Sequence, residues 1–137
     1  MENQNIEWKE SWHDEYLKWI CGFANAQGGR LEIGRNDKGV LVGLPNGKRL
    51  LEELPNKIRT TMGIVADVNF YQENGFDYII IDVMAHPNAI SYRGKYYLRS
   101  GSTNQELTLI YFVRKLWRAI DLQLKMFRET TKNCSKP

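Results

Sequence analysis

The sequence predicts an α+β fold: a mixed or antiparallel sheet flanked by helices, with a long C-terminal helix. Three observations lead there. An aromatic-rich segment near the N-terminus repeats at helical spacing and is stopped by two glycines. A central stretch alternates in the manner of a β-hairpin. From about Glu106 the apolar residues return to helical period and hold it to Phe127.

Taken in order, Ile6 and Trp8 predict a short first strand. Ser11 is placed as the N-cap of a helix, with Asp14 and Glu15 in a first turn whose dipole favours acids. Trp12, Tyr16, Trp19, Ile20 and Phe23 then share one helical face, read as core rather than as a stacking platform for bases. Gly28 and Gly29 can adopt the positive φ that ends a helix. Leu31 and Ile33 alternate with polar residues as a half-buried strand, Asn36-Asp37-Lys38-Gly39 is turn chemistry, and Val40 to Gly43 is expected to return as a second strand. Leu50, Leu51, Leu54, Ile58 and Met62 predict a helix that kinks or restarts at Pro55, which lacks a backbone donor. Val68 and Phe70, a turn at Gln72-Glu73-Asn74-Gly75 and the run Phe76 to Val83 predict a hairpin. Within it, Ile79-Ile80-Ile81 marks a central strand buried on both faces. Lys95 to Arg99 is the last predicted strand. Leu109, Phe112, Val113, Leu116, Trp117, Ile120, Leu124 and Phe127 then line a long helix. The expected organisation is a domain over 1–107, a helix over 108–129 that packs on it or on a partner, and a disordered tail over 130–137.

A chain of 137 residues is long enough for one domain with a working core. Its hydrophobic share of 42% and charged share of 26% place it with soluble globular proteins, and no stretch approaches the roughly 20 apolar residues that span a bilayer. Cys21 and Cys134 have neither metal-ligand spacing nor a disulfide framework, so both are expected as free thiols in a reducing cytoplasm. The net charge of +3 conceals an asymmetry. Nine basic and nine acidic residues cancel in 1–60, four acids stand without a base in 61–90, and 91–137 carries ten basic residues against three acidic. A basic C-terminal third can be a polyanion footprint or the solvated face of a long helix.

Several chemistries are excluded by order and spacing. Gly28-Gly29 follows a helix and precedes a strand, the reverse of a dinucleotide fingerprint, and Gly39 to Gly47 lacks the Lys-Ser/Thr of a phosphate loop. His13 and His86 have no companion at zinc-ligand spacing, and no serine elbow or paired nucleophile is evident.

Two motifs carry more. Glu7-Trp8-Lys9, a helix, Phe23-Ala24-Asn25-Ala26-Gln27-Gly28-Gly29, a strand, Ile33-Gly34 and a turn follow one another in an order that resembles the Schlafen AlbA domain. The segment Asn88 to Asn104 is similar to that family's closing strand with its Tyr-x-Arg-x-Gly-Ser signature, here Tyr97-Leu98-Arg99-Ser100-Gly101-Ser102. The resemblance runs from about Glu2 to Leu107. It implies the nucleic-acid-binding head, with DNA favoured, of a bacterial cytoplasmic transcriptional regulator. It also implies an ATPase-like or winged-helix region downstream in a longer chain, and no nucleotide hydrolysis here.

The resemblance also extends to the nuclease core of animal Schlafen proteins. Such sites gather carboxylates so that Mg²⁺ or Mn²⁺ bridges a scissile phosphate. The positions that match are Glu2, Glu7 and Asp37, with Lys9 near the phosphate, and Asn36 competes with Asp37 for the third acidic place. Against this, Glu7 and Lys9 can be an ion pair and Asp37 a turn residue. The favoured reading is binding without catalysis and without a cofactor. In an extended strand Arg93, Lys95, Tyr97 and Arg99 share one face, which is expected to point outward as a basic surface. Gly101 to Asn104 would offer backbone amides to a phosphate, and Arg30, Arg35 and Lys38 on the first hairpin would extend the patch. A third reading is a protein-interaction or homodimerisation module that uses Phe112, Leu116 and Trp117 of the last helix.

Overall fold

The computed structural model describes residues 5–134; in the last helix the side chains at 109–112, 114, 115 and 131–134 are outside that description. Strand β1 (Ile6–Lys9) leads through a 3₁₀ turn (Asp14–Tyr16) into helix α1 (Leu17–Asn25), followed by β2 (Gly29–Ile33), α2 (Gly47–Met62), β3 (Asp67–Glu73) and β4 (Phe76–Val83). The closing elements are β5 (Ser91–Tyr92), β6 (Lys95–Ser100), β7 (Thr103–Leu107) and α3 (Leu109–Cys134). Contacts divide the chain into two units, 1–106 and 107–137.

The first unit holds two sheets. One has strand order β1-β2-β4-β3, with β1 parallel to β2 and the other pairs antiparallel. The other has order β5-β6-β7. The mixed sheet puts β4 in its interior, and Ile79, Ile80 and Ile81 are buried, which agrees with a strand covered on both faces. Ile79, Ile81 and Val83 join Leu31 and Ile33 in a core completed by Leu17, Ile20 and Phe23 of α1 and Leu50, Leu54 and Ile58 of α2. The β3–β4 connection is a two-residue turn, Asn74-Gly75, with φ of 51° and 79°, and its mirror-image geometry matches the strand twist.

Gly28 explains why the first helix ends where it does. Its φ is +82°, its amide donates to the Phe23 carbonyl at 2.9 Å, and a Cβ there would lie 2.6 Å from the Val83 carbonyl oxygen. A side chain would therefore part the helix end from β4.

Five expectations are corrected. Helix α1 begins at Leu17 rather than after Ser11, because Asp14–Tyr16 forms a 3₁₀ turn held to α2 by Lys57 Nζ–Asp14 Oδ1 at 2.9 Å. Val40 to Gly43 is not a strand: a single bridge between Arg35 and Leu41 is all that pairs there, since Gly34 and Gly39 bend the chain away from the sheet. Helix α2 runs through Pro55 as one element. Thr103 and Asn104, expected as open backbone after Gly101, are the start of strand β7. Residues 130–134, expected in a disordered tail, are helical.

Candidate nucleic-acid interface

The two motifs of the sequence meet in space. Helix α1 packs on β6, and Arg99 of β6 reaches under the helix to β1. Its Nη1 donates to Glu7 Oε2 at 2.8 Å and its Nη2 to the Ile6 carbonyl at 3.1 Å. The guanidinium lies over the rings of Trp19 (4.9 Å) and Phe23 (5.2 Å). Lys9 approaches the other Glu7 oxygen at 3.3 Å and sits 4.8 Å from the ring centres of both Tyr16 and Trp19. Glu7 and Arg99 are 4% and 2% exposed, so the pair is a core feature whose geometry supplies the compensation that buried charge requires.

Asn25 is the second joint. Its Nδ2 donates to the carbonyls of Ile90 and Tyr97, both at 2.8 Å, and its Oδ1 accepts from the Ile90 amide at 2.7 Å. One buried side chain at the end of α1 thus holds both β6 and the residue before β5. Gly22 lets them approach: a Cβ there would collide with Asn104 Oδ1, whose amide nitrogen donates to the Lys18 carbonyl at 3.0 Å. Sequence reasoning placed Asn25 in a motif without a role; the signal it missed was a polar residue at the end of an apolar helix stripe. Beneath Asn25, the Cys21 Sγ lies 3.2 Å from the Ile90 carbonyl, and burial pushes its thiol up to about 11.

These contacts correct the expected basic face. Tyr97 and Arg99 point inward against α1, at 7% and 2% exposure, because α1 covers that side of β6 and Glu7 provides a counter-charge there. Burial, and secondarily Glu106, raises the Tyr97 hydroxyl above its ordinary range. Arg35 is half-buried and staples its own turn, with Nη1 on the Gly39 carbonyl at 2.7 Å, Nε 3.5 Å from Glu32 and the guanidinium over Tyr78. Arg30, likewise, donates to Asp82 at 2.9 Å across the sheet. What faces solvent is the β5–β6 turn and the turn after β2. Arg93 (φ 49°) and Gly94 (φ 77°) form the first, with Arg93 over the Tyr92 ring and Lys95 3.7 Å from Glu106; Lys38 occupies the second.

Two of the three carboxylates of the nuclease reading, Glu7 and Asp37, lie among the described residues. Glu2 lies outside the described residues. Glu7 has an oxygen against each of two cations, and Asp37 stands exposed in a turn whose Gly39 rests on Trp8, the residue that alternates with Glu7. Among the described residues no three His, Cys, Asp or Glu side chains are grouped to hold a metal ion. No helix among the described residues is long and apolar enough to cross a membrane.

Comparison with solved structures agrees with this architecture. The DIP2311 protein from Corynebacterium diphtheriae superposes with a TM-score of 0.63 at 20% identity, over 76% of this chain and 22% of that one. The N-terminal domain of a RecG-related protein from Nitrosomonas europaea gives a TM-score of 0.53 at 24% identity, over 76% of this chain and 83% of that domain. The chain thus spans about a fifth of the length of the first and most of the second, and at these identities the likeness is one of fold. No curated protein matches the sequence. The family model described as Schlafen, AlbA_2 matches residues 2–108, the stretch that contains the Glu7–Arg99 pair and the Asn25 joint, and the chain therefore belongs to the Schlafen AlbA_2 family.

Proposed function

We propose that this domain binds nucleic acid, DNA in preference, as the head of a cytoplasmic transcriptional regulator, and that it does so through phosphate contacts without cleavage. The observation that carries the proposal is the β5–β6 turn. Arg93 in the turn and Lys95 at the start of β6 are exposed on strands that Asn25 ties to α1 and Arg99 ties to β1. Both cations are open to solvent, and Lys95 would exchange its exposed Glu106 partner for a phosphate. Lys18, 5.9 Å from the Tyr97 ring on the adjoining helix, and Lys38 on the second turn are further cations for the phosphate backbone. Family membership supports the reading, and so does the RecG-related neighbour, whose name associates it with ATP-dependent DNA helicases. Nothing in the turn reads base edges, so the affinity is electrostatic and falls with salt. Homodimerisation belongs to the proposal, because two copies double the phosphate contacts on one duplex.

The test is fluorescence anisotropy with labelled duplex DNA and single-stranded RNA across a salt series, with EDTA present. Binding that weakens with salt and is lost in Arg93→Ala/Lys95→Ala is the expected result. Binding unchanged in that double variant would overturn the assignment of the turn.

A further inference from the structure

The four-stranded sheet carries a row of stacked groups on the face turned away from α1 and α2. Val68, Phe70, Ile79 and Ile81 pack toward those helices in the core. Their neighbours along β3 and β4 therefore point the other way, among them Tyr71 and Tyr78. These two are cross-strand partners with stacked rings, 5.3 Å between centres and 21° between planes. On the β2 side of Tyr78, the Arg35 guanidinium lies 5.2 Å from the ring centre. The row thus runs Arg35, Tyr78, Tyr71 toward β3, and among the described residues no strand lies beyond β3. Tyr71 is 43% exposed, so the row stops at a ring open to solvent on a sheet edge.

The charges on this face select what continues the row. Asp67 and Glu73 share it with Tyr71, are exposed, and form no ion pair among the described residues. Its cations are already engaged, Arg30 with Asp82 and Arg35 with Glu32 and the Gly39 carbonyl. Lys38 belongs to the opposite edge, on the turn whose Gly39 rests on Trp8 of β1. The cations of α2 belong to the helix on the other face. From 61 to 90 the sequence has four acids and no Lys or Arg. A phosphate chain laid along β3 meets like charge there, whereas a cation meets carboxylates and a ring. Arg35 on Tyr78 is the same contact made once within the chain, and a planar guanidinium suits it better than an ammonium.

We infer that β3 is a docking edge for an extended basic segment of another protein, with an arginine stacked on Tyr71. A segment that adds to the edge through main-chain bonds brings one side chain to about 5 Å from Tyr71. Its second neighbours lie on the same face, opposite Asn69 and Glu73. Arginine at every second position therefore puts one guanidinium on the ring and another beside Glu73. The inference is independent of the phosphate contacts assigned to the β5–β6 turn.

The experiment is fluorescence polarisation on the full chain with a labelled peptide of alternating arginine and threonine, beside versions with lysine or glutamate in place of arginine. The arginine peptide is expected to bind, the lysine peptide more weakly and the glutamate peptide not at all. Tyr71→Ala should raise the dissociation constant about fivefold, and Tyr71→Phe should leave it near wild type. Asp67→Asn/Glu73→Gln should raise it and flatten its salt dependence. Arg93→Ala/Lys95→Ala should leave it unchanged, which separates failure of this inference from failure of the proposed function. Bound peptide should slow amide exchange in β3. No binding of the arginine peptide, or binding indifferent to Tyr71→Ala, would overturn the inference. Equal binding of the lysine peptide would overturn the arginine contact. A Tyr71→Ala variant that loses single-stranded RNA but keeps the peptide would overturn the docking edge in favour of base stacking.

Discussion

The two ends of strand β6 hold cations with opposite roles. At the turn end, Arg93 and Lys95 stand in solvent; at the far end, Arg99 is enclosed by Glu7, Trp19 and Phe23. The difference lies in what each meets. A side chain on a two-residue turn is beyond the reach of α1, whereas one on the strand is covered by it. Positive charge therefore serves as a buried tie between motifs at one end of β6 and, at the other, as exposed charge whose contacts with Glu106 and Tyr92 stay open to solvent.

The sharpest way to break this comparison is to remove the enclosed charge. Arg99→Ala leaves Glu7 buried without its guanidinium partner and should destabilise the domain by about 3–5 kcal/mol, measured by urea unfolding. The paired replacement Glu7→Leu/Arg99→Met should cost less than the sum of its single changes. A loss for Arg99→Ala below about 1 kcal/mol would mean that the pair behaves as surface charge.

Asn25→Ala comes next. It deletes bonds to three backbone groups and strands the Ile90 amide, an expected loss of about 2–4 kcal/mol. Because Asn25 anchors β6 from the other side of α1, the variant should also loosen the Arg93–Lys95 turn. Faster amide exchange across 90–97 would register this, and unchanged exchange would separate the turn from its clamp.

A third effect is alkaline. The Cys21 thiol is held up at about 11 against an ordinary 9.0, chiefly by burial. The neutral thiol is therefore favoured by the fold. The stability is fully present below pH 9 and is lost as the pH rises from 9 to 11, where the unfolded chain ionises first. The span corresponds to about 2–3 kcal/mol, and Cys21→Ala should flatten the slope in unfolding experiments at paired pH values.

The smallest stability effect belongs to the exposed end. Arg93→Ala/Lys95→Ala should leave stability within about 0.5 kcal/mol while the slope of log affinity against log salt falls by about 2. A stability loss as large as that of Arg99 would erase the contrast between the two ends.

Much of the scaffold was legible from residue order. The hairpin 67–83, the doubly buried isoleucines, the aromatic face of the first helix and the long last helix all follow from local periodicity, because each is a choice that a window of neighbours makes against water. The site was less legible. Strand alternation correctly separated Tyr97 and Arg99 from Tyr96 and Leu98 but assigned the charged set outward, since nothing local to β6 announces that Glu7 waits on β1. The strand after Asn36 failed for a related reason: turn chemistry was present, but Val40 to Gly43 folds back only on Gly34 to Asn36, one bridge long, and joins no sheet.

What the sequence by itself determined is the family, most of the succession of elements and the helical period of the amphipathic faces, the long last helix among them. These depend on residues near one another along the chain. What only the tertiary structure decided is which polar groups are enclosed. Glu7, Asn25 and Arg99 acquire their partners across long separations in sequence. A charge or amide can be buried only where another element delivers its complement, and that delivery is a property of packing rather than of pattern.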